Sequence, residues 1–230
     1  VQLPSTCKIR DVAMSETHFL VATEEGSVYG WGDGQKGQLG FNMESTWKHF
    51  PSKIETIQRH NIINVCAGEG YSLFLNNYGV VLACGTSKNG CLGIESVTSL
   101  MTPRVIEKFS DTKIVQIACN KFHVLALDIH GDVYSFGFNE HGALGLGSKI
   151  SSMTPQRINF ASTLRNVKKI YCAPDCSLIL THEGDVYACG SNNFNRFGFG
   201  RSVNAVNEFV SFFLTTNISY EFLFSFLSKN

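Results

Sequence analysis

The chain has 230 residues, 43% hydrophobic and 17% charged, with 19 Lys+Arg against 19 Asp+Glu. The hydrophobic share supports a sizeable buried core. Zero net charge excludes a basic nucleic-acid binder working through bulk electrostatics and an acidic solvating tail. No unbroken apolar run reaches the ~18 residues of a membrane-crossing helix, so no membrane partner is expected. Residues 1–7 lack the basic and apolar regions of a secretory signal. Eight cysteines, at 7, 66, 84, 91, 119, 172, 176 and 189, include no C-x-x-C pair. We read them as reduced thiols of a cytoplasmic or nuclear protein that is not secreted. The first residue is Val1 rather than Met, and the chain is expected to be a fragment.

In chain order, one unit is written four times. It opens at Gly26 as Gly-Ser-Val-Tyr-Gly-Trp-Gly32 and continues to Gly37-Gln-Leu-Gly40. The second unit has Gly79, Gly85, Gly90 and Gly93; the third has Gly131, Gly137, Gly142 and Gly145. The fourth has Gly184, Gly190, Asn195 and Gly198. The intervals are 79−26 = 53, 131−79 = 52 and 184−131 = 53, with internal offsets 0, 6, 11 and 14 throughout. His18, Ser72, His123 and Ser177 precede the first glycines by seven or eight residues, each followed by an apolar run. Pro51, Pro103 and Pro155 follow the first three units; the fourth has no such proline.

Each unit reads as four short strands. In the third, residues 113–118, 123–128, 132–137 and 156–158 are the predicted strands. Gly26, Gly79, Gly131 and Gly184 close hairpins that need positive φ. Asn195 at the third glycine position keeps that conformation, since Asn tolerates the left-handed region best among non-glycine residues. The last glycine of each unit is expected to allow close approach between neighbouring sheets. Trp31, Cys84, Phe136 and Cys189 form one packing layer, and the small residues Ala13, Ala67, Ala118 and Cys172 another. A four-stranded module with this period buries its faces only against neighbours, so the predicted fold is an all-β propeller.

The pattern Gly-x-Val-Tyr-x-Trp/Phe/Cys-Gly-x4-Gly-x-Leu-Gly, with His or Ser upstream, resembles the repeat of the regulator of chromosome condensation family from about residue 8 to about residue 201. The resemblance implies a seven-bladed propeller, of which the chain holds about four blades, an incomplete ring. The third and fourth units, with Val-Tyr-Ala-Cys-Gly190-Ser-Asn-Asn-Phe194-Asn195-Arg-Phe-Gly198, are similar to the repeats behind the catalytic domain of NIMA-related kinases. That resemblance implies a regulatory, partner-binding segment acting on a kinase domain in cis. The rival implication is guanine-nucleotide exchange on a small GTPase, the founding member's activity. Repeat intervals of 52 or 53 residues leave no room for that member's protruding element, and no basic tail is present.

No catalytic, cofactor-binding or metal-binding residue is assigned. Gly30-x-Gly32-x-Gly34 lies in a β repeat and lacks the dinucleotide spacing. His18 and His123 could be bases, but Ser72 and Ser177 stand in the same motif position, so we read a polar group hydrogen-bonding inside each blade. The strand cysteines alternate with Ala, Trp or Phe across units and read as core rather than zinc ligands. Lys168-Lys169 reads as a solvated strand end. No ATP loop, His-Arg-Asp or Asp-Phe-Gly motif occurs, so no kinase chemistry is expected of this chain. Partner contact is expected from the face loops 33–36, 86–89, 138–141 and 191–194. The candidates are Asn139, His141, Asn193 and Phe194, together with Trp47 and Phe50 of an aromatic cluster that could equally cap the first blade.

Residues 202–230 do not continue the repeat and carry six of the 18 phenylalanines. Three readings compete: a divergent strand pair, an interfacial membrane segment, or non-native sequence. The last is favoured, because an apolar tail on an open half-ring is an aggregation hazard.

Overall fold

The computed structural model describes residues 7–42, 47–87, 89–160, 166–198 and 203–212. They form four antiparallel sheets of four strands, each paired in chain order. Blade one is β1 (Ile9–Met14), β2 (His18–Thr23), β3 (Val28–Gly32) and β4 (Lys48–Lys53). Blade two is β5 (Ile62–Ala67), β6 (Tyr71–Asn76), β7 (Val81–Thr86) and β8 (Ser99–Val105). Blade three is β9 (Ile114–Cys119), β10 (His123–Asp128), β11 (Val133–Gly137) and β12 (Ser152–Arg157). Blade four is β13 (Val167–Ala173), β14 (Cys176–Thr181), β15 (Val186–Ser191) and β16 (Ala205–Phe212). The all-β propeller architecture expected from the repeat is therefore present. Outer strand β12 is longer than the predicted 156–158 and contains Pro155, which an edge strand accommodates because one side of its backbone has no ladder to feed.

The boundary drawn at Arg201 is corrected by β16. Gly190 pairs with Val206 and Ala188 with Val210, matching Gly137 with Ser152 and Ser135 with Gln156 in blade three. That register puts Phe209 in the slot of Pro51, Pro103 and Pro155. A Cβ on Gly145 would meet the Phe209 ring at 2.5 Å, as one on Gly40 would meet Pro103 at 2.8 Å. An outer strand needs neither glycine nor proline, so this one carries no mark of the repeat. The remainder of the tail, 213–230, lies outside the described residues.

Strand register also corrects two sequence alignments. His18, Tyr71, His123 and Cys176 lie opposite the second glycine of their units; Ser72 and Ser177 lie one residue later, opposite Cys84 and Cys189. One residue along a strand turns a side chain to the other face. The histidines and serines therefore point toward each other across neighbouring blades, not within one blade. His18 Nε2 lies 2.8 Å from Ser72 Oγ, and His123 Nε2 lies 2.9 Å from Ser177 Oγ. Tyr71 fills the histidine slot between blades two and three, donating to the Asn120 carbonyl at 2.7 Å. Likewise Ala13, Cys66, Ala118 and Tyr171 form the true inner-strand layer, while Ala67 and Cys172 sit one residue on.

Much of the core lies between blades, and blade four also holds a cluster of its own with Leu178, Leu180, Val186, Ala188 and Phe197. Leu20, Ala22, Val28 and Leu39 of blade one pack on Val65, Phe74, Leu82 and Cys84 of blade two. Leu73, Leu75 and Val81 meet Val124, Ala126 and Phe136, and Leu125, Leu127 and Val133 meet Ile170, Ile179 and Tyr187. Each large side chain buried this way contributes about 1.5–3 kcal/mol. A polar ladder on the inner strands fixes the register of the stack. Asp11 Oδ2 accepts from Asn64 Nδ2 (2.6 Å) and from Val65 N–H (2.8 Å). Asn64 Oδ1 accepts from Ile117 N–H, and Gln116 bonds both backbone groups of Ile170. The equivalent residue in blade four is the exposed Lys169.

The two ends of the stack differ. On blade one, Val12 is 62% exposed, whereas its equivalents Val65, Ile117 and Ile170 are 3%, 3% and 0% exposed beneath the preceding blade. Phe19 and Trp31 stack on that open face with centroids 5.1 Å apart. On blade four, the glycine requirement is relaxed. A Cβ on Gly37 would lie 2.5 Å from the Leu100 carbonyl oxygen of the next outer strand, and one on Gly90 would meet the Ser152 carbonyl oxygen more closely still. Asn195 at the same slot has φ 58°, and a Cβ on nearby Gly198 would have nothing within 4 Å among the described residues. Gly90→Asn, which tolerates the left-handed backbone but adds the Cβ, is expected to destabilise by about 2–3 kcal/mol. Asn195→Gly should stay within about 0.5–1 kcal/mol. Urea unfolding of the two variants checks the contrast.

Candidate functional site

The turns between the first two strands of each blade share a face with the long loops between the third and fourth strands. One charged residue stands in each short turn: Glu16, Glu69, Lys121 and Asp175. Lys121 forms an ion pair with Glu16 across the stack, and Glu69 N–H donates to the Lys121 carbonyl. Hydrogen bonding and charge from Glu16, with Glu69 and Asp175 behind it, hold the ammonium above the ordinary lysine range. Glu16 and Lys121 border a cleft of about 440 Å³ that is also lined by Phe122, Phe138, Ala143 and Pro174 and by Glu140, His141 and Asp175. Phe122 and Phe138 meet edge to face with centroids 6.0 Å apart.

His123 lies under this cleft at 3% exposure. Ser177 Oγ donates its proton to the Ala143 carbonyl at 2.7 Å, so the His123 Nε2–H must donate to Ser177. Ser72 is likewise spent on the Gln38 carbonyl at 2.6 Å, and Ser15 Oγ lies 2.8 Å from His18 Nδ1. A nucleophile–base pair requires the opposite polarity, with serine donating to imidazole. These pairs join blades and do not make a nucleophile. Burial pushes both imidazoles down to about 4, opposed by the charge of Asp33 at His18 and of Asp175 at His123. Burial also raises the thiols of Cys84, Cys172 and Cys189 and takes Cys91 up to about 12; the Cys66 thiol is raised first by its hydrogen bond with Cys119 and then by burial. Among the described residues, no group of three or more His, Cys, Asp or Glu side chains is placed to hold a metal.

The sequence-derived candidates divide. His141 lines the cleft. Asn139 does not present itself to a partner: it is 1% exposed, donates to the Ser148 and Ile150 carbonyls at 2.9 and 3.0 Å, and accepts from Leu144 N–H. Its expected role as a contact residue is corrected to that of a loop pin. Asn192 does the same in blade four, bonding Val203 O and Phe197 N–H. Asn193 is exposed and Phe194 is 100% exposed at φ 61°. Trp47 and Phe50, 55% and 59% exposed, lie on the outer strand of blade one and its approach, away from the cleft. Phe122 and Asp175 were not singled out from sequence. The charged turn residues recur at intervals of 53, 52 and 54, a weaker echo of the glycine period that could have marked them.

Two outcomes test this geometry. An unfolded histidine takes up its proton near pH 6.5, a folded one only near 4. Stability is therefore full above pH 6.5 and declines as the pH falls through that window, each histidine accounting for about 2–3 kcal/mol. Denaturant midpoints measured between pH 7 and pH 4 should show the decline, flattened in a His18→Gln/His123→Gln double variant. Asn139→Ala should cost about 2–3 kcal/mol by stranding three backbone groups, while His141→Ala stays within about 0.5 kcal/mol in the same assay.

Residues 1–220 match the family model described as the RCC1-like domain. Over 211 residues, 89% of this chain, it is 31% identical to serine/threonine-protein kinase Nek9 of Mus musculus and 28% identical to Nek8 of Danio rerio. It spans 21% and 30% of those proteins. The structure superposes on Prp20p of Saccharomyces cerevisiae with a TM-score of 0.75 at 27% identity, covering 90% of this chain and 50% of that one. Human WBSCR16 gives a TM-score of 0.81 at 22% identity, with 92% and 54% covered. The four-blade stack, its inter-blade glycines and the match along 1–220 agree: the chain belongs to the RCC1-like domain family.

Proposed function

We propose that this chain is a non-enzymatic regulatory and protein-interaction module, the repeat region of a NIMA-related serine/threonine kinase. The observation that carries this reading is the 211-residue match to Nek9 and Nek8, in a chain that itself has no ATP loop or catalytic loop. The inward-donating serines and neutral histidines support a binding role rather than a chemical one. The proposed location is the cytoplasm.

A second reading has its own support. The yeast relative Prp20p was described together with its binding properties to Gsp1p and histones, which suggests a small GTPase as partner and nucleotide exchange as activity. The zero net charge weighs against a nucleic-acid-binding surface on this chain.

One comparison separates the two readings. The purified chain should be retained by an immobilised NIMA-related catalytic domain and should alter its autophosphorylation rate, while leaving nucleotide release from Gsp1p unchanged. Accelerated release with no retention by the kinase domain would overturn the first reading in favour of the second.

A further inference from the structure

We propose that the cleft between blades three and four is a docking site for an arginine or lysine side chain on a basic segment of a protein partner. The inference rests on the interaction-module reading and adds the chemistry of the occupant.

Glu16 and Lys121 neutralise each other in an ion pair, leaving Glu140 and Asp175 as the carboxylates facing the cleft. Neither has a hydrogen-bonding or ion-pair partner for its side chain among the described residues. An anionic ligand, nucleic acid included, would be repelled there. The Phe122–Phe138 pair, with Pro174 and Ala143, forms an apolar wall beside the two carboxylates. A carboxylate head site next to an aromatic wall matches a long cationic side chain, whose methylene stem packs on the rings while its head meets carboxylate oxygen. Guanidinium fits better than ammonium, because its planar fork can stack on a ring and still bond a carboxylate. Asp175 sits at the tip of the β13–β14 hairpin with φ 58°, a conformation that costs a non-glycine residue about 1–2 kcal/mol. That fixed turn holds the carboxylate at the rim, and Arg196 steadies it by donating to the Pro174 carbonyl at 3.0 Å.

The test uses the full 230-residue chain and fluorescence anisotropy. The probe is a fluorescein-labelled peptide of about ten residues containing three arginines and one phenylalanine; a counterpart carries glutamate for arginine. The arginine peptide should bind at least about tenfold more tightly than the glutamate peptide, and more weakly as salt is raised. The double variant Asp175→Asn/Glu140→Gln should reduce affinity about tenfold or more; Phe138→Ala should reduce it several-fold. Asn at 175 keeps the left-handed turn and position 140 is exposed, so thermal midpoints should match the parent protein and exclude misfolding as the cause. Equal binding of the two peptides, no binding of either, or an unchanged affinity in the double variant would each overturn the proposal. If the kinase domain is still retained by the chain in those cases, the cleft assignment fails while the module reading stands.

Discussion

Everything in this molecule depends on one contact made three times: the face of one blade pressed on the back of the next. Most apolar residues of each sheet are buried against a neighbour, while blade four also packs Leu178, Leu180, Val186 and Ala188 with its own Phe197. The contact is tight enough to dictate residue type. At Gly37 and Gly90 the following outer strand comes so near that a single Cβ would strike a carbonyl oxygen. The same approach aligns the Asp11–Asn64–Gln116 ladder, in which each side chain satisfies backbone groups of the next inner strand. Hydrophobic burial supplies most of the energy, and the ladder and the glycine contacts allow only one register.

Polar groups buried in these contacts alternate in type. His–Ser pairs bridge blades one and two and again blades three and four, with Cys84 and Cys189 Sγ beside the same accepting carbonyls at 3.5 and 3.3 Å. Between blades two and three, Tyr71 and Cys91 take over, bonding the Asn120 and Phe122 carbonyls. The stack thus repeats in pairs of blades as well as singly. The pairing also sets the character of the cleft, because His123 and its serine partner close the floor on which Phe122, Phe138 and Asp175 stand.

The stack is directional. Blade one leaves Val12 and Phe19 exposed on its outer face, with Trp31 stacked on Phe19, whereas blade four carries Asn195 in the slot that holds glycine in the other three units. Phe209 in the proline slot shows the same drift from the repeat on that side. Function separates from stability along a different axis. The buried inter-blade residues hold the stack, and the turns and loops of one face carry the charge and aromatic surface available to a partner.

Sequence alone determined the repeat, the number of units, the β class and the family resemblance, because glycine at a positive-φ turn or a close approach has few substitutes and so recurs in the text. It also grouped the loops between third and fourth strands, though it took Asn139 for a contact residue when its amide is spent on its own loop. Strand register was beyond it: His18 and Ser72 look equivalent when counted from a glycine, and a one-residue offset sends them to opposite faces. The outer strand of blade four was equally hidden, since Val206, Phe209 and Val210 need only alternate and pair. The cleft belongs to tertiary structure entirely. Glu16, Phe122, Glu140 and Asp175 come from three blades and meet only because the packing of one sheet on the next brings their turns to a common face.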